Sequence, residues 1–425
     1  MPLDNEEKKP IGYLQLLRSN HNFRNLWIGQ VVSLFGDWFD LIASASLISY
    51  LTHSGLAVGS LFVVRMLAPF LVSPLAGVLA DRFNRKKLLI IADILRAIVV
   101  LGFLWVRTPE QIWLLYVITA IQLAFSGLFF PARNAIIPDI VSRAELGAAN
   151  AISTTTWSVM LSLGAAIGGI VAGKWGNYPA FVVDSISFFF SAFFISRIQY
   201  THQPIITAGT EKSSQLILEA FRHYIDGLQY LKDHKDIFFI ALHKSAISLI
   251  VIGTFQVLQV TLAQRLFIIG ENGSTSLGLI YAVAGIGTGV GPILARIFTR
   301  DNDRRVRLAL AISYGISVIG LAITAPLAGF ALVLLGIFVG SLGRGINWTF
   351  SSQLLLEWLP DKVRGRVFSS EFAMFTLSNA IGSAIGGWVL DGTNLGISGM
   401  LWWMTALLVI PGALWYAWTL FGKKE

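Results

Sequence analysis

Not one of the 425 residues is cysteine, which excludes disulfides, thiolate catalysis and cysteine-ligated zinc. Charge is scarce too: Asp, Glu, Lys and Arg make up 13% of the chain against 55% hydrophobic residues. A water-soluble globule cannot hold that balance without exposing large apolar patches. The six histidines, His21, His53, His202, His223, His234 and His243, sit in loops or near the ends of apolar runs without metal-ligand spacing. A membrane-embedded enzyme or sensor is therefore only a remote alternative, and no metal or cofactor is expected.

What the chain has instead is apolar length. Its mean hydropathy is +0.67, and twelve runs of about twenty residues recur from end to end, each long enough to cross a hydrocarbon core about 30 Å thick as a helix. They fall near 25–51, 56–79, 88–107, 111–130, 146–172, 176–196, 237–263, 276–298, 307–325, 329–351, 366–390 and 398–421. The fold class is thus an all-α, multi-pass membrane protein. The first run is too long for a signal-peptide core and leads straight into a second, so it is expected to stay in the mature protein.

Lys and Arg resist translocation and so give the orientation. One set of loops carries Lys8, Lys9, Arg82, Arg85, Lys86, Lys87, Arg304, Arg305, Lys362, Arg364, Lys423 and Lys424 among others, whereas the opposite set holds only Arg107, Lys174 and Arg265. Both termini are expected on the cytoplasmic side of an inner or plasma membrane. The net charge of +8 is accounted for by these short loops rather than by one basic stripe, so nucleic acid is not an expected partner.

The chain also repeats itself. "SLGAAIGG" at 162–169 and "NAIGSAIGG" at 379–387 superpose at an offset of 218 positions, placing Gly164, Gly168 and Gly169 over Gly382, Gly386 and Gly387. The same offset lays "SPLAGVLADRFNRKK" at 73–87 on "GPILARIFTRDNDRR" at 291–305. Two six-helix units in parallel orientation follow: residues 1–196, a linker at 197–236, and residues 237–425. Within the linker, "SSQLILEAFRHYIDGLQYLKD" at 213–233 spaces Leu216, Ala220, Tyr224 and Leu228 as an amphipathic surface helix would, although a plain spacer is the equal alternative.

These features, with the loop "GVLADRFNRKKLL" at 77–89, resemble the major facilitator superfamily, whose signature is G-x-L-x-D-R-x-G-R-[RK]. Asn84 stands where a second glycine is usual. "PARNAIIPDIVSRAELGAANA" and "LPDKVRGRVFSSEF" resemble its drug-efflux branch, which includes macrolide and siderophore exporters. The resemblance implies alternating access, and a cytoplasmic gate in which Gly77, Asp81, Arg82, Arg85 and Lys86 latch the halves by an acid on the amino terminus of the eleventh helix. It also implies that the helix-five glycines, Gly164, Gly168 and Gly169, form the exporters' antiporter motif, with plain helix packing as the alternative. The arginine that family members often carry in helix four is replaced by Leu123. No G-x-x-x-x-G-K-[ST] loop is present, so transport is secondary.

Two acids stand out. Asp37 and Asp40 lie on one face of the first span, where a charge costs roughly 2.5–3.5 kcal/mol unless it meets a cavity or a partner. Close carboxylates repel, so one is expected to hold a proton near neutral pH. Arg65 in span two is the best counter-charge, Asp93 and Arg96 are spaced as an internal pair, and Asp184, Lys244, Arg344 and Glu371 read as snorkelling near helix ends. The expected function is proton-coupled export of an amphipathic organic solute by a monomer among membrane lipids, from a midplane site holding Asp37, Asp40, Arg65, Trp38, Phe39, Phe125, Phe255 and Trp348. A lipid or lysophospholipid flippase of the same fold is the alternative.

Overall fold

A computed structural model describes residues 12–200, 222, 225–300 and 302–421. Among them twelve helices are long and apolar enough to cross a membrane. The first six are α1 (His21–Thr52), α2 (Gly55–Arg82), α3 (Arg85–Val100), α4 (Ile112–Ile140), α5 (Arg143–Trp175) and α6 (Asn177–Ser196). The second six are α7 (Lys235–Leu266), α8 (Ser274–Thr299), α9 (Asp303–Thr324), α10 (Phe330–Trp358), α11 (Asp361–Gly392) and α12 (Gly396–Phe421). Several outrun their apolar cores: α4 continues past residue 130 to Ile140, because a helix goes on where its polar end meets water or protein. Of the linker's expected surface helix, 225–233 is helical, while most of 213–224 lies outside the described residues.

Local sequence sets the helix starts. Ser142 and Glu145 of "SRAE" form a capping box at the head of α5. Asn84, the departure from the family signature, accepts the Lys87 amide at 3.1 Å and caps α3, a duty that a glycine side chain cannot perform. α7 is interrupted by two π-helical turns, Ser248–Ile252 and Leu262–Leu266.

The repeat is visible in the packing. Within the first half α5 lies on α1, where a Cβ on Gly164 would stand 2.8 Å from the Trp38 ring and one on Gly168 3.2 Å from the Phe39 ring. Within the second half α11 lies on α7 in the same way: a Cβ on Gly382 would meet the Leu249 carbonyl at 2.6 Å and one on Gly386 the Thr254 Cα at 2.9 Å. Between the halves α5 pairs with α8 and α11 pairs with α2. There Gly169 is so close to Gly278 that a Cβ would sit 2.6 Å from its Cα, and Gly387 stands against Gly55 in the same relation, 2.5 Å from its carbonyl.

Both crossings lie at the face away from the termini, called here the distal face. A set of hydrogen bonds between the halves gathers there too. Asp391, in the last turn of α11, accepts the Ser54 hydroxyl at 2.6 Å and the Gly55 and Leu56 amides at 2.8 Å each, so it caps the amino terminus of α2 from across the interface. Arg265 donates to the His53 carbonyl at 2.5 Å, and Gln264 to the Ser46 carbonyl at 2.7 Å. At the opposite, terminal face α8 exposes Ile293 and Ile297 by 66% and 70%.

A buried ion pair ties α7 to α11: Lys244 Nζ lies 3.0 Å from Glu371 Oε1, with both side chains 7% exposed or less, and 4.7 Å from the centre of the Trp348 ring on α10. Removing one member of such a pair strands the other.

Two outcomes follow from this packing. Loss of a helix cap costs roughly 0.5–2 kcal/mol, so Asp391→Ala should speed labelling from the distal side of an Ala284→Cys probe, on the α8 wall of the space between the halves, about 2- to 30-fold. Unchanged labelling would mean that the cap does not hold the distal face shut. Lys244→Met should cost about 3–5 kcal/mol of stability, most of it regained in the Lys244→Met/Glu371→Leu double variant; thermal unfolding of single and double variants decides, and a single variant as stable as the parent would contradict it.

Candidate functional site

The paired helices enclose a cavity of about 650 Å³ at their centre. Its walls come from α1, α2, α4 and α5 on one side and α7, α8, α10 and α11 on the other, so each half supplies the equivalent four helices; α3, α6, α9 and α12 stand outside it. Helical periodicity selects the α1 residues that reach it, Leu34, Asp37, Trp38 and Leu41, which follow the i, i+3, i+4, i+7 stripe. One of the π turns of α7 delivers Val251 and Ile252 to the opposite wall; an extra residue in a turn re-aims the side chains that follow it.

Most of the lining is apolar or aromatic, with three charged side chains: Asp37, Arg65 and Arg344. Arg65 is committed to Asp40 at 2.9 Å. Asp37 makes no hydrogen bond or ion pair with any described residue and is partly open to the cavity. Arg344 donates to Ser341 at 2.5 Å and faces the Phe255 ring at 5.7 Å.

Behind Asp37 lies a polar network inside the first half. Asp93 pairs with Arg96 on α3 and accepts the Ser191 hydroxyl at 2.6 Å. Arg96 reaches the cavity-lining Ser126 at 3.2 Å and lies over the Phe188 ring at 4.2 Å. Asp184 on α6 is fully buried and abuts Gly36, the residue before Asp37. Its side chain has only Ser187 at 3.4 Å and Gln122 at 3.5 Å, with no cation in contact among the described residues. Arg65, Arg96, Asp40 and Asp93 are all within electrostatic reach of Asp37. Asp37, Asp40, Asp93 and Asp184 thus lie in one half with Arg65 and Arg96, while its other buried arginine, Arg133, donates to Gln30 at 2.6 Å.

The structure separates several residues that the sequence had grouped. Asp37, Arg65, Trp38, Phe255 and Trp348 line the cavity. Asp40 does not: it is fully buried, turned toward α2 and paired with Arg65. Phe39 is 2% exposed and packs between Phe35 and Gly168, two hundred degrees around the helix from Asp37 by a rotation of about 100° per residue. Phe125 is half-buried and off the wall, which α4 faces with Leu123, Ser126 and Phe130. Of the helix-five glycines, Gly164 and Gly168 seat the α1 rings within one half, whereas Gly169 joins the halves.

Four charges read as snorkelling are instead internal. Asp184 sits at the eighth position of the twenty-residue α6, and Arg344 at the middle of α10. Lys244 and Glu371 read as terminal only because α7 and α11 begin at Lys235 and Asp361, before their apolar runs. Distance from both helix ends, rather than from the nearer edge of the apolar run, is the signal that would have found them. His243, read as peripheral, is likewise buried on α7, its Nδ1 2.6 Å from the Tyr314 hydroxyl.

In the loop after α2, Arg85 pairs with Asp139 of α4 at 2.7 Å and donates to the Ala135 carbonyl at 2.9 Å, contacts within one half. Lys86 is half-buried in the first turn of α3. The side chains of Gly77, Asp81 and Arg82 lie outside the described ones.

A central cavity built from equivalent helices of two repeats is what a carrier with a midplane site requires, and known proteins agree. The putative bacilysin exporter BacE of Bacillus subtilis (strain 168) is 26% identical over 85% of this chain and 87% of its own length. Macrolide efflux protein A of Streptococcus pyogenes is 22% identical over 85% and 87%. The crystal structure of the nucleoside transporter NupG superposes with a TM-score of 0.72 at 15% identity, covering 95% of this chain and 99% of that one. Residues 26–341 match the Major Facilitator Superfamily, and since that match spans most of the chain, this multi-pass membrane transporter belongs to that superfamily.

Proposed function

We propose that this carrier exports an amphipathic organic solute across an inner or plasma membrane, exchanging it for protons by alternating access. The observation that carries the reading is the unpaired carboxylate of Asp37 on the wall of a cavity shared by the two halves. A carboxylate that is held in hydrocarbon without a partner gains by accepting either a proton or a cationic group, and a site that accepts one at a time couples the two flows. Asp184, buried in the first half with no cation in contact among the described residues, is a second carboxylate that a proton would neutralise.

By the bias of Lys and Arg the terminal face is cytoplasmic, so a closed distal face describes the inward-facing state. In the opposite state the signature loop takes over: Asp81, at the end of α2, caps the amino terminus of α11 as Asp391, at the end of α11, caps α2 here. The names of the exporters support an organic cargo of this kind, and the aromatic rings Trp38, Phe255 and Trp348 suit an apolar body.

If proton and substrate compete for Asp37, apparent affinity for a cationic substrate should strengthen by up to about tenfold per pH unit on the acid side of its titration and then level off. Asp37→Asn should abolish both that slope and pH-driven efflux from proteoliposomes while eluting as a folded protein. Full proton-driven transport by Asp37→Asn would remove Asp37 from the coupling.

A further inference from the structure

Three charged side chains line the cavity, and their pairing leaves one of each sign over. Arg65 is neutralised by Asp40, so Asp37 on α1 and Arg344 on α10 face one another's halves with no ion-pair partner among the described residues. Arg344 lies at mid-helix, too far from either end of α10 to reach water along the membrane normal. Lys244, the neighbouring cation below Trp348, is already held by Glu371. A guanidinium in this position has five donors, of which the structure occupies one with Ser341. What remains is a planar fork suited to a carboxylate or a phosphate.

We infer that Arg344 receives the anionic group of the transported molecule, so that the cargo is a zwitterion with an apolar body: its acid end on Arg344 in the second half, its amine end on Asp37 in the first, its body among Trp38, Phe255 and Trp348. This rests on the export reading and adds the substrate's chemical class. Because the two charges belong to different halves, such a cargo bridges them, and the bridge neutralises two charges that hydrocarbon penalises.

The test is a matched pair of probes. Leucyl-phenylalanine, its methyl ester and lysophosphatidylcholine are titrated against nanodisc-embedded protein by quenching of tryptophan emission, Trp38 and Trp348 being on the wall. A charge-assisted hydrogen-bonded pair predicts that the free dipeptide binds about 10- to 100-fold tighter than the ester in the parent and in Arg344→Lys, and that the gap closes in Arg344→Gln. Arg344-dependent binding of the lysophospholipid supports the same anion site and assigns it to a headgroup phosphate. Equal binding of acid and ester in the parent, a gap that persists in Arg344→Gln, or no binding of either acid overturns the inference. An ester exported under a pH gradient without any Arg344-dependent gap sinks the zwitterion and leaves proton-driven export standing; an acid–ester gap without proton-driven movement does the reverse.

Discussion

Hydrocarbon cannot solvate a charge, and the organisation of this protein follows from where its few internal charges found compensation. Asp40 found Arg65, Asp93 found Arg96 and Lys244 found Glu371. Each pair is a rivet between or within helices, strong mainly because breaking it would strand a partner. Asp37 and Arg344 have no ion-pair partner among the described residues, and both open on the central cavity. Paired charges form the framework and the two on the cavity wall mark the candidate site, while Asp184, buried on α6 without a cation in contact among the described residues, lies behind it.

The same economy governs the movement that transport requires. Two helix crossings close the distal face, α5 with α8 and α2 with α11, and each works because glycine faces glycine at backbone distance. In lipid, close packing and polar contacts replace the hydrophobic drive that holds soluble helices together, so such a joint closes firmly without being irreversible. Asp391 adds a directional contact: an acid at the end of one helix on the exposed amides at the start of another. Since α2 and α11 run antiparallel, the pair has a second such end at the terminal face, where α2 gives way to the signature loop.

Much of this was legible before any coordinates. Twelve apolar runs gave twelve helices because the bilayer imposes both length and composition, and the 218-residue offset gave the equivalence that the glycine contacts of α5 and α11 display. Asp37, Arg65 and the Asp93–Arg96 pair were visible as charges in apolar runs. Less visible was which side of a helix each residue takes: Phe39 and Phe125 differ from true cavity residues by one or two positions of rotation, and only packing against Gly168 or a neighbouring helix fixes that. Arg344, Lys244, Glu371 and Asp184 were misplaced because an apolar run marks the hydrocarbon, not the helix, and residues near its edge can still be deep in protein.

Everything turns on Asp37 lying in a water-accessible cavity that opens to one face at a time. The chain has no cysteine of its own, so a single Asp37→Cys replacement can be probed with membrane-impermeant thiol reagents from each side in turn. The account requires modification from the terminal-face side in the state described here, and from the distal side instead when substrate and pH favour the opposite state. A thiol at this position that stays unreactive from both sides under every condition would contradict it.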